Sequence, residues 1–369
     1  MIIAIIIISS YIILILSYRI GWHRLKPSNL NNNSPNISVV IALRNEEKNI
    51  KRLIYELSHQ SYDYQKIEFI MVDDHSTDNT FKLLCQYQKK NKNLIILKQA
   101  KKKFGKKEAI IEGIKASNGK IIVTTDADCS FHNNWLSNIV NYFNNQNVKL
   151  VVGPVQFFET KNFWGKFQEL EFLSLVGSGA SSIGLNRGIF CNGANLAYRK
   201  SLITENNNKI FKQNIISGDD VFLMHYIKDK FPNGVVFAKN KEAIVKTYAV
   251  PSLGDFFNQR KRWAAKSTAY RDFDAVLVGF IVLLTNLLFL FLIIGSFFYR
   301  GLLYYVLILL VLKFLVDTIF LAPILNFFKR RSLLKFILFF EFIYSFYIIL
   351  TVIMSFTSSF KWKGRKHKK

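Results

Sequence analysis

Two aspartates stand one residue apart in Thr124-Thr125-Asp126-Ala127-Asp128-Cys129-Ser130-Phe131. The residues before them, Lys120-Ile121-Ile122-Val123, are rich in β-branched side chains and read as a buried strand. A strand that ends in paired carboxylates suits a hard divalent cation held together with substrate phosphates. In an open parallel sheet, that end of the strand is also where ligands bind. Asp is equally a common turn former, so the pair taken alone leaves a plain strand-end turn open.

Two earlier polar clusters follow apolar runs in the same manner: Ala42-Leu43-Arg44-Asn45-Glu46-Glu47 and Asp73-Asp74-His75-Ser76-Thr77-Asp78. In the second, Ser76 or Thr77 is placed to cap the next helix, with Asp78 favourable to its dipole. That accounts for those three residues but not for Asp73 and Asp74, either of which can accept a hydrogen bond from a nucleobase N–H. His75 has no His or Cys companion and reads as a loop residue. Lys101-Lys102-Lys103-Phe104-Gly105-Lys106-Lys107 is a solvated charge run or, beside a diphosphate site, a source of one phosphate contact.

The elements that must position these groups alternate. Ile37–Ala42, Ile67–Val72, Leu94–Leu97 and Lys120–Thr125 read as strands, and Asn49–Gln60, Thr77–Asn91 and Lys106–Ser117 as the helices between them. Such alternation implies a parallel sheet with right-handed crossovers and helices on its faces.

The succession ALRNEE, VDDHSTD, FGKKEA, TTDADCSF, CNGANLAYRK, SGDDVFL and QRKRW resembles the membrane-bound family-2 glycosyltransferases, from about Ile37 to Ser267. Each motif is short; seven in the right order are specific. The resemblance implies an α/β GT-A fold, a Rossmann-like nucleotide-binding sheet with an acceptor half, with N- and C-terminal transmembrane helices. It further implies a nucleotide-diphosphate sugar donor, an Mg2+ or Mn2+ ion on Asp126 and Asp128, and inversion at the anomeric carbon. By motif position, Ala42, Arg44, Glu46, Asp73, Asp74, Lys106, Asp126 and Arg262 are the expected donor-binding residues. Gly193, Asn195, Gln259 and Trp263 are expected at the acceptor, although Asn195 reads equally as turn support. Asp220 is the expected general base, with Asp219 second; a helix cap suits Asp219 better. Two adjacent carboxylates can push one pKa upward, as a base requires. Arg suits a diphosphate and Trp a sugar face. The same QRKRW helix, from Leu253, also reads as an amphipathic surface helix with Phe256, Phe257 and Trp263 among lipid headgroups.

Half of the chain is hydrophobic and 15% is aromatic, which points to membrane segments. Ile2 to Tyr18 is apolar and followed by Arg19, His23, Arg24 and Lys26, the pattern of an anchor with its amino end outside. Ala275–Phe298, Leu302–Leu325 and Leu333–Phe356 are each long enough to cross a bilayer. Three full crossings place the basic tail outside, against the positive-inside rule, so one segment is expected to lie in the interface or re-enter, with Asp317, Pro323 and Glu341 as the irregularities. Phe163 to Ile183 reads either as an interfacial amphipathic helix or as a cover on the sheet. The expected division is an anchor (1–20), a linker (21–36), a catalytic domain (37–270), a membrane block (271–358) and a basic tail (359–369).

The formal net charge of +25 fits anionic lipid, and no nucleic-acid partner is expected. Cys85, Cys129 and Cys191 are too scattered for a disulfide framework or a zinc site. The expectation is therefore a multi-pass protein of the plasma or inner membrane, with its catalytic domain cytoplasmic. It would move a sugar to a lipid-linked, membrane-associated or polysaccharide acceptor. A processive polysaccharide synthase is the enzymatic alternative, disfavoured by having only about four membrane segments. A catalytically inactive scaffold is the alternative of another class, and the intact Asp126, Asp128, Asp220 and Arg262 speak against it.

Overall fold

The computed structural model describes residues 2–28, 34–101, 103–204, 219–267, 270–355, 359–362 and 365–368, with backbone alone for 204, 219, 265–267, 355 and the last two segments. In chain order the helices are α1 (Ile2–Arg24), α2 (Glu47–Ser58), α3 (Thr80–Gln88), α4 (Lys106–Ala116), α5 (Trp135–Val140), α6 (Phe163–Gly184), α7 (Ser201–Thr204), α8 (Asp219–Lys230), α9 (Leu253–Ser267), α10 (Phe273–Ser296), α11 (Leu302–Phe327) and α12 (Ile337–Ser355). The strands are β1 (Ile37–Leu43), β2 (Ile67–Asp73), β3 (Leu94–Lys98), β4 (Ile121–Asp126), β5 (Leu150–Val152), β6 (Val155–Phe157), β7 (Asn195–Arg199), β8 (Val235–Phe237) and β9 (Val245–Thr247), with β10 (Ser359–Trp362) and β11 (Arg365–Lys368) as a hairpin in the basic tail. The chain forms two compact units. A sheet unit comprises Leu25–Phe158 and Phe190–Tyr248; a helical unit comprises Met1–Arg24, Glu159–Ile189 and Ala249–Lys369.

In the sheet unit, seven strands run in the order β3-β2-β1-β4-β7-β5-β8. The first four are parallel, as their βα alternation requires. The sheet is mixed, however: β7 runs antiparallel to both β4 and β5. Chain order turns back between β1 and β4, which makes the crevice at their carboxyl ends a topological switch point. Val39, Val40, Ile41, Ile70, Met71, Ile122 and Val123 are fully buried, so both faces of these strands are covered. β1 to β4 each end one residue later than their apolar runs suggest, so that Asp73 and Asp126 are themselves the last residues of their strands.

α3 begins at Thr80, not Thr77. Ser76 and Thr77 do not cap it: the Ser76 hydroxyl accepts from the Asn45 N–H (3.0 Å), and the Thr77 N–H donates to Asn45 Oδ1 (2.8 Å). Asp78 takes the capping bond instead, accepting from Thr80 N–H at 3.0 Å and from Glu47 N–H at 3.2 Å. Those bonds hold its carboxyl below the usual range in spite of partial burial.

In the helical unit, α1 runs to Arg24, past the expected end of the anchor. Among the described residues, four helices are long and apolar enough to cross a membrane: Ile2–Arg24, Phe273–Ser296, Leu302–Phe327 and Arg331–Met354. Pro323 lies inside α11 without ending it, and Asp317 and Glu341 are paired with Lys313. α6 is grouped with the helical unit and not with the sheet. Fifteen of its 22 residues are buried, and it packs against α1 where a Cβ on Gly21 would meet Ser181 O at 2.1 Å.

α4 carries Lys106 and seats on the sheet through Gly113, where a Cβ would lie 2.4 Å from Val40 Cγ1 and 3.2 Å from Val72 Cγ2. Gly113→Val is therefore expected to cost roughly 1–3 kcal/mol by overpacking. A lowered denaturation midpoint of the purified protein in detergent would show it, and an unchanged midpoint would mean that α4 does not rest on this contact.

Candidate active site

Backbone register builds the site. Ala42 stands opposite Val72 on one side and Asp126 on the other, and Leu43 stands opposite Asp73. Asp73 and Asp126 thus flank the end of β1 at two strand spacings, ~10 Å. The small Ala42 side chain leaves the space between them open.

The two aspartates of β2 have different work. Both are about 1% exposed. Asp74 Oδ2 accepts from Gly105 N–H at 3.1 Å, and its other oxygen meets the Gln99 amide at 2.9 Å. Gly105 has φ +100° and ψ 160°, a conformation open to glycine, and it precedes Lys106 at the start of α4. Asp74 therefore places Lys106. Asp73 Oδ2 accepts from Ser76 N–H at 3.2 Å, whereas its Oδ1 is buried with no hydrogen-bond partner. A buried oxygen left in that state costs about 1–3 kcal/mol until a donor reaches it.

Arg44 and Glu46 shape the loop. Arg44 Nη1 donates to the carbonyls of Asp74 and His75, both at 2.8 Å. The buried Glu46 accepts from Asn49 Nδ2 at 2.7 Å, and its N–H donates to Thr80 Oγ1 at 2.7 Å. Asn45 and His75 hold left-handed backbones, φ +54° and +53°, residues for which that region is accessible but costly.

The Asp126 carboxylate is about one third exposed and is met by the Lys106 ammonium. Asp128 Oδ2 accepts from Thr247 Oγ1 at 3.3 Å. Among the described residues, no group of three or more His, Cys, Asp or Glu is arranged around an ion. Asp126 and Asp128 offer hard oxygen donors, a chemistry that fits Mg2+ or Mn2+. Cys129 is fully buried, and burial, Asp128 and Asp126 push its thiol well above its usual pKa.

Three residues the motifs did not suggest fix this turn. Arg52 on α2 donates to the Asp128 carbonyl (2.9 Å) and to Tyr248 Oη (2.9 Å). Glu56, one turn on, accepts from the Ser130 hydroxyl and the Phe131 N–H, both at 2.8 Å. Thr247 arrives on β9. Arg52 and Glu56 sit on the helix after β1 at helical spacing, and only the fold brings them more than 70 residues along to the turn.

Asp220 opens α8 and accepts the Gly193 N–H at 3.0 Å through Oδ2. β7 pairs Asn195 with Thr125, so Gly193 lies just past the end of β4, and Asp220 shares that end of the sheet with Asp126. The side chain of Asp219, with Ser217 and Gly218 of the same motif, lies outside the described residues. Asn195 is fully buried, which removes it from any acceptor surface. Its amide donates to Pro154 O (2.8 Å) and Ala243 O (2.9 Å), and its oxygen accepts from Trp135 Nε1 (3.0 Å). The turn-support reading is the one this geometry gives.

Gln259, Arg262 and Trp263 belong to the helical unit. Gln259 Oε1 accepts from Arg260, and Arg262 is half-buried. The Arg260 guanidinium lies 4.3 Å from the centroid of the Trp263 ring, so one indole face is already covered. Phe256 is fully buried and takes no headgroup position.

Residues 38–206 match the family described as Glycosyl transferase family 2. They form a family-2 glycosyltransferase domain. The chain is 35% identical over 123 residues to glycosyltransferase AglE of Haloferax volcanii, covering 33% of this chain and 40% of that protein. It therefore spans less than half the length of that relative. It is 26% identical over 236 residues to the dolichyl N-acetyl-alpha-D-glucosaminyl phosphate 3-beta-D-2,3-diacetamido-2,3-dideoxy-beta-D-glucuronosyltransferase of Methanococcus voltae, covering 62% of this chain and 72% of that one. Among solved structures, mannosyltransferase PcManGT from Pyrobaculum calidifontis in complex with GDP-Man and Mn2+ superposes with a TM-score of 0.58 at 17% identity, over 92% of this chain and 98% of that chain. At that identity the likeness establishes the fold, a GT-A α/β sheet accompanied here by four apolar helices.

In this family-2 domain, Asn195→Leu leaves two carbonyls and the Trp135 N–H unpaired in the interior, at about 1–3 kcal/mol for each group. A lower unfolding midpoint is expected, with the KM values for donor and acceptor moving little in whatever protein stays folded. A selective rise in acceptor KM at unchanged stability would return Asn195 to the acceptor site.

Proposed function

We propose that the chain transfers a sugar from a nucleotide-diphosphate sugar to a lipid-linked or membrane-associated acceptor, with inversion and with Mg2+ or Mn2+ bound. The observation that carries this reading is the buried Asp73 Oδ1, without a hydrogen-bond partner among the described residues, at the end of β2, with Asp126 closing β4 on the other side of β1. One carboxylate is ready for a nucleobase N–H and the other is ready for the diphosphate end. The Methanococcus relative is named for a dolichyl-phosphate-linked acceptor, and the Pyrobaculum enzyme was solved with a nucleotide sugar and Mn2+. Four helices fit to cross a membrane support an acceptor that resides there.

Asp73 accepts from the base, and Lys106, steered by Asp74 and Gly105, lies against the diphosphate. Asp126 and Asp128 would hold a divalent ion, which would supply positive charge to offset that of the leaving diphosphate. Asp220 accepts the proton of the acceptor hydroxyl as its oxygen bonds to the anomeric carbon. The bond from that carbon to the diphosphate oxygen breaks, and nucleoside diphosphate leaves. A single displacement of this kind inverts the anomeric centre. Release of nucleoside diphosphate from a panel of nucleotide sugars, with the protein in lipid, tests the reading directly; no release from any donor would overturn it.

Asp128→Asn is expected to abolish transfer with the fold intact, and excess chelator to do the same to the unmutated protein. Full transfer in chelator would remove the metal from the mechanism.

Asp220→Asn is expected to lower turnover by roughly 10²–10⁴, the usual worth of a positioned base, while donor affinity stays nearly constant. Full turnover in Asp220→Asn together with loss in Asp219→Asn would move the base by one residue. Retained anomeric configuration in the product would reject single displacement.

A further inference from the structure

The helical unit holds a half-open cavity of about 110 Å³ between α1, α6, α10, α11 and α12. A water occupies about 30 Å³ in the liquid, so the space holds a few waters or one small chemical group. Its wall is largely apolar, including Ile15, Phe167, Leu170, Phe320 and Phe340. Into the same space face Tyr11, Ser178, Lys313, Asp317 and Glu341. Ionisable groups inside apolar helices are costly, and where they occur they commonly mark a function.

The charges define what fits. Lys313 is 2% exposed, and its ammonium contacts Asp317 Oδ2 at 3.0 Å and also Glu341 Oε2. Tyr11 Oη donates to both oxygens of Asp317, at 2.7 and 2.9 Å. The Lys313 ammonium thus stands against two carboxyl groups, both within ion-pair reach. Glu171, which also lines the cavity, is engaged by Arg260 and adds no net charge. A phosphate therefore finds no uncompensated cation here. The oxygens of the lining are those of the Asp317 and Glu341 carboxyls, of the Tyr11, Tyr344 and Ser178 hydroxyls, and of the Ser174 hydroxyl, which donates its proton to Glu171 O at 2.8 Å. Such a space asks for a ligand that donates one hydrogen bond and is otherwise apolar.

We infer that this cavity binds the hydroxyl-bearing neck of an uncharged membrane lipid, a lipid alcohol, and that it excludes lipid phosphates. The site is independent of the transfer reaction proposed above, because its occupancy is measured with no sugar donor present.

The test uses the full chain in phosphatidylcholine nanodiscs and a diacylglycerol carrying a photoreactive group beside its glycerol. A phosphatidic acid with the same chains and label is the control. Diacylglycerol is expected to label α11 and α12 peptides. A hydrogen bond to a charged group is worth about 1.5–3 kcal/mol, so phosphatidic acid is expected to label them at least about tenfold less. Ser178→Leu fills the space without touching the ion pairs and should lower diacylglycerol labelling by about the same factor. Asp317→Asn with Glu341→Gln frees the ammonium and should turn the preference toward phosphatidic acid. Equal labelling by the two lipids, labelling indifferent to Ser178→Leu, or no labelling of these helices, which would make it a water-filled space, would each overturn the inference.

Discussion

The site rests on the parallel register of β1 between β2 and β4. Moving one strand by a single residue exchanges its faces, which would turn its buried aliphatic side chains over and shift Asp73 or Asp126 along the end of β1. The register is fixed from both ends. In the middle, fully buried aliphatic side chains leave no alternative packing. At the amino ends, Ser38 Oγ donates to Glu68 and accepts the Gly119 N–H at 2.8 Å. Gly119 sits so close that a Cβ there would lie 2.5 Å from the Ile37 carbonyl carbon. The amino ends are sealed and the carboxyl ends are open, and chemistry is confined to one edge of the sheet.

That edge gathers Asp73, Asp74, Asp126 and Asp128, and like charges so close oppose folding unless each is compensated. The fold answers mostly with dipoles and with cations aimed at carbonyls. Arg44 and Arg52 bind backbone oxygens of the Asp74 and Asp128 turns, while Gly105 and Ser76 offer N–H groups. Lys106 meets Asp126, whose carboxylate is about one third exposed. Left-handed Asn45 and His75 are the backbone cost of folding two such turns against each other.

Much of this was legible in the sequence, because the alternation of apolar runs and polar helices is local. The βα order, the strand-end carboxylates and Lys106 at the head of α4 all follow from spacing. What spacing cannot deliver is the partner of a side chain far along the chain. Glu56 and Arg52 look like ordinary helix-surface charges until β4 is placed beside their helix. Asn195 sits within a loop-like motif, yet the pairing of β7 with β4 turns it into the interior. The direction of β7 was equally hidden, since a short strand reads the same from either end. Asp73 and Asp74 are adjacent, chemically identical and equally buried; only their hydrogen bonds divide them, Asp74 being tied to the glycine at 105 and Asp73 to Ser76.

The helical unit shows the same limit in its charges. Glu169 is fully buried and met by Arg330, and Glu171 is met by Arg260, Tyr347 supplying a further bond at 2.8 Å. Burial alone would lower the pKa of Arg260, but Glu171 and Tyr347 raise it above its ordinary value, so the pair stays ionic. Removing one member of such a pair strands the other and costs about 3–5 kcal/mol. In Gln259-Arg260-Lys261-Arg262-Trp263 the two arginines are indistinguishable by type. Arg260 lies between Phe256 and Trp263, each ring centroid 4.3 Å away, and ties α9 to α6 and α12. The motif therefore joins two kinds of residue within two positions. One arginine is spent on holding the helix, and that expenditure is what fixes the direction in which its neighbours on the same helix can point.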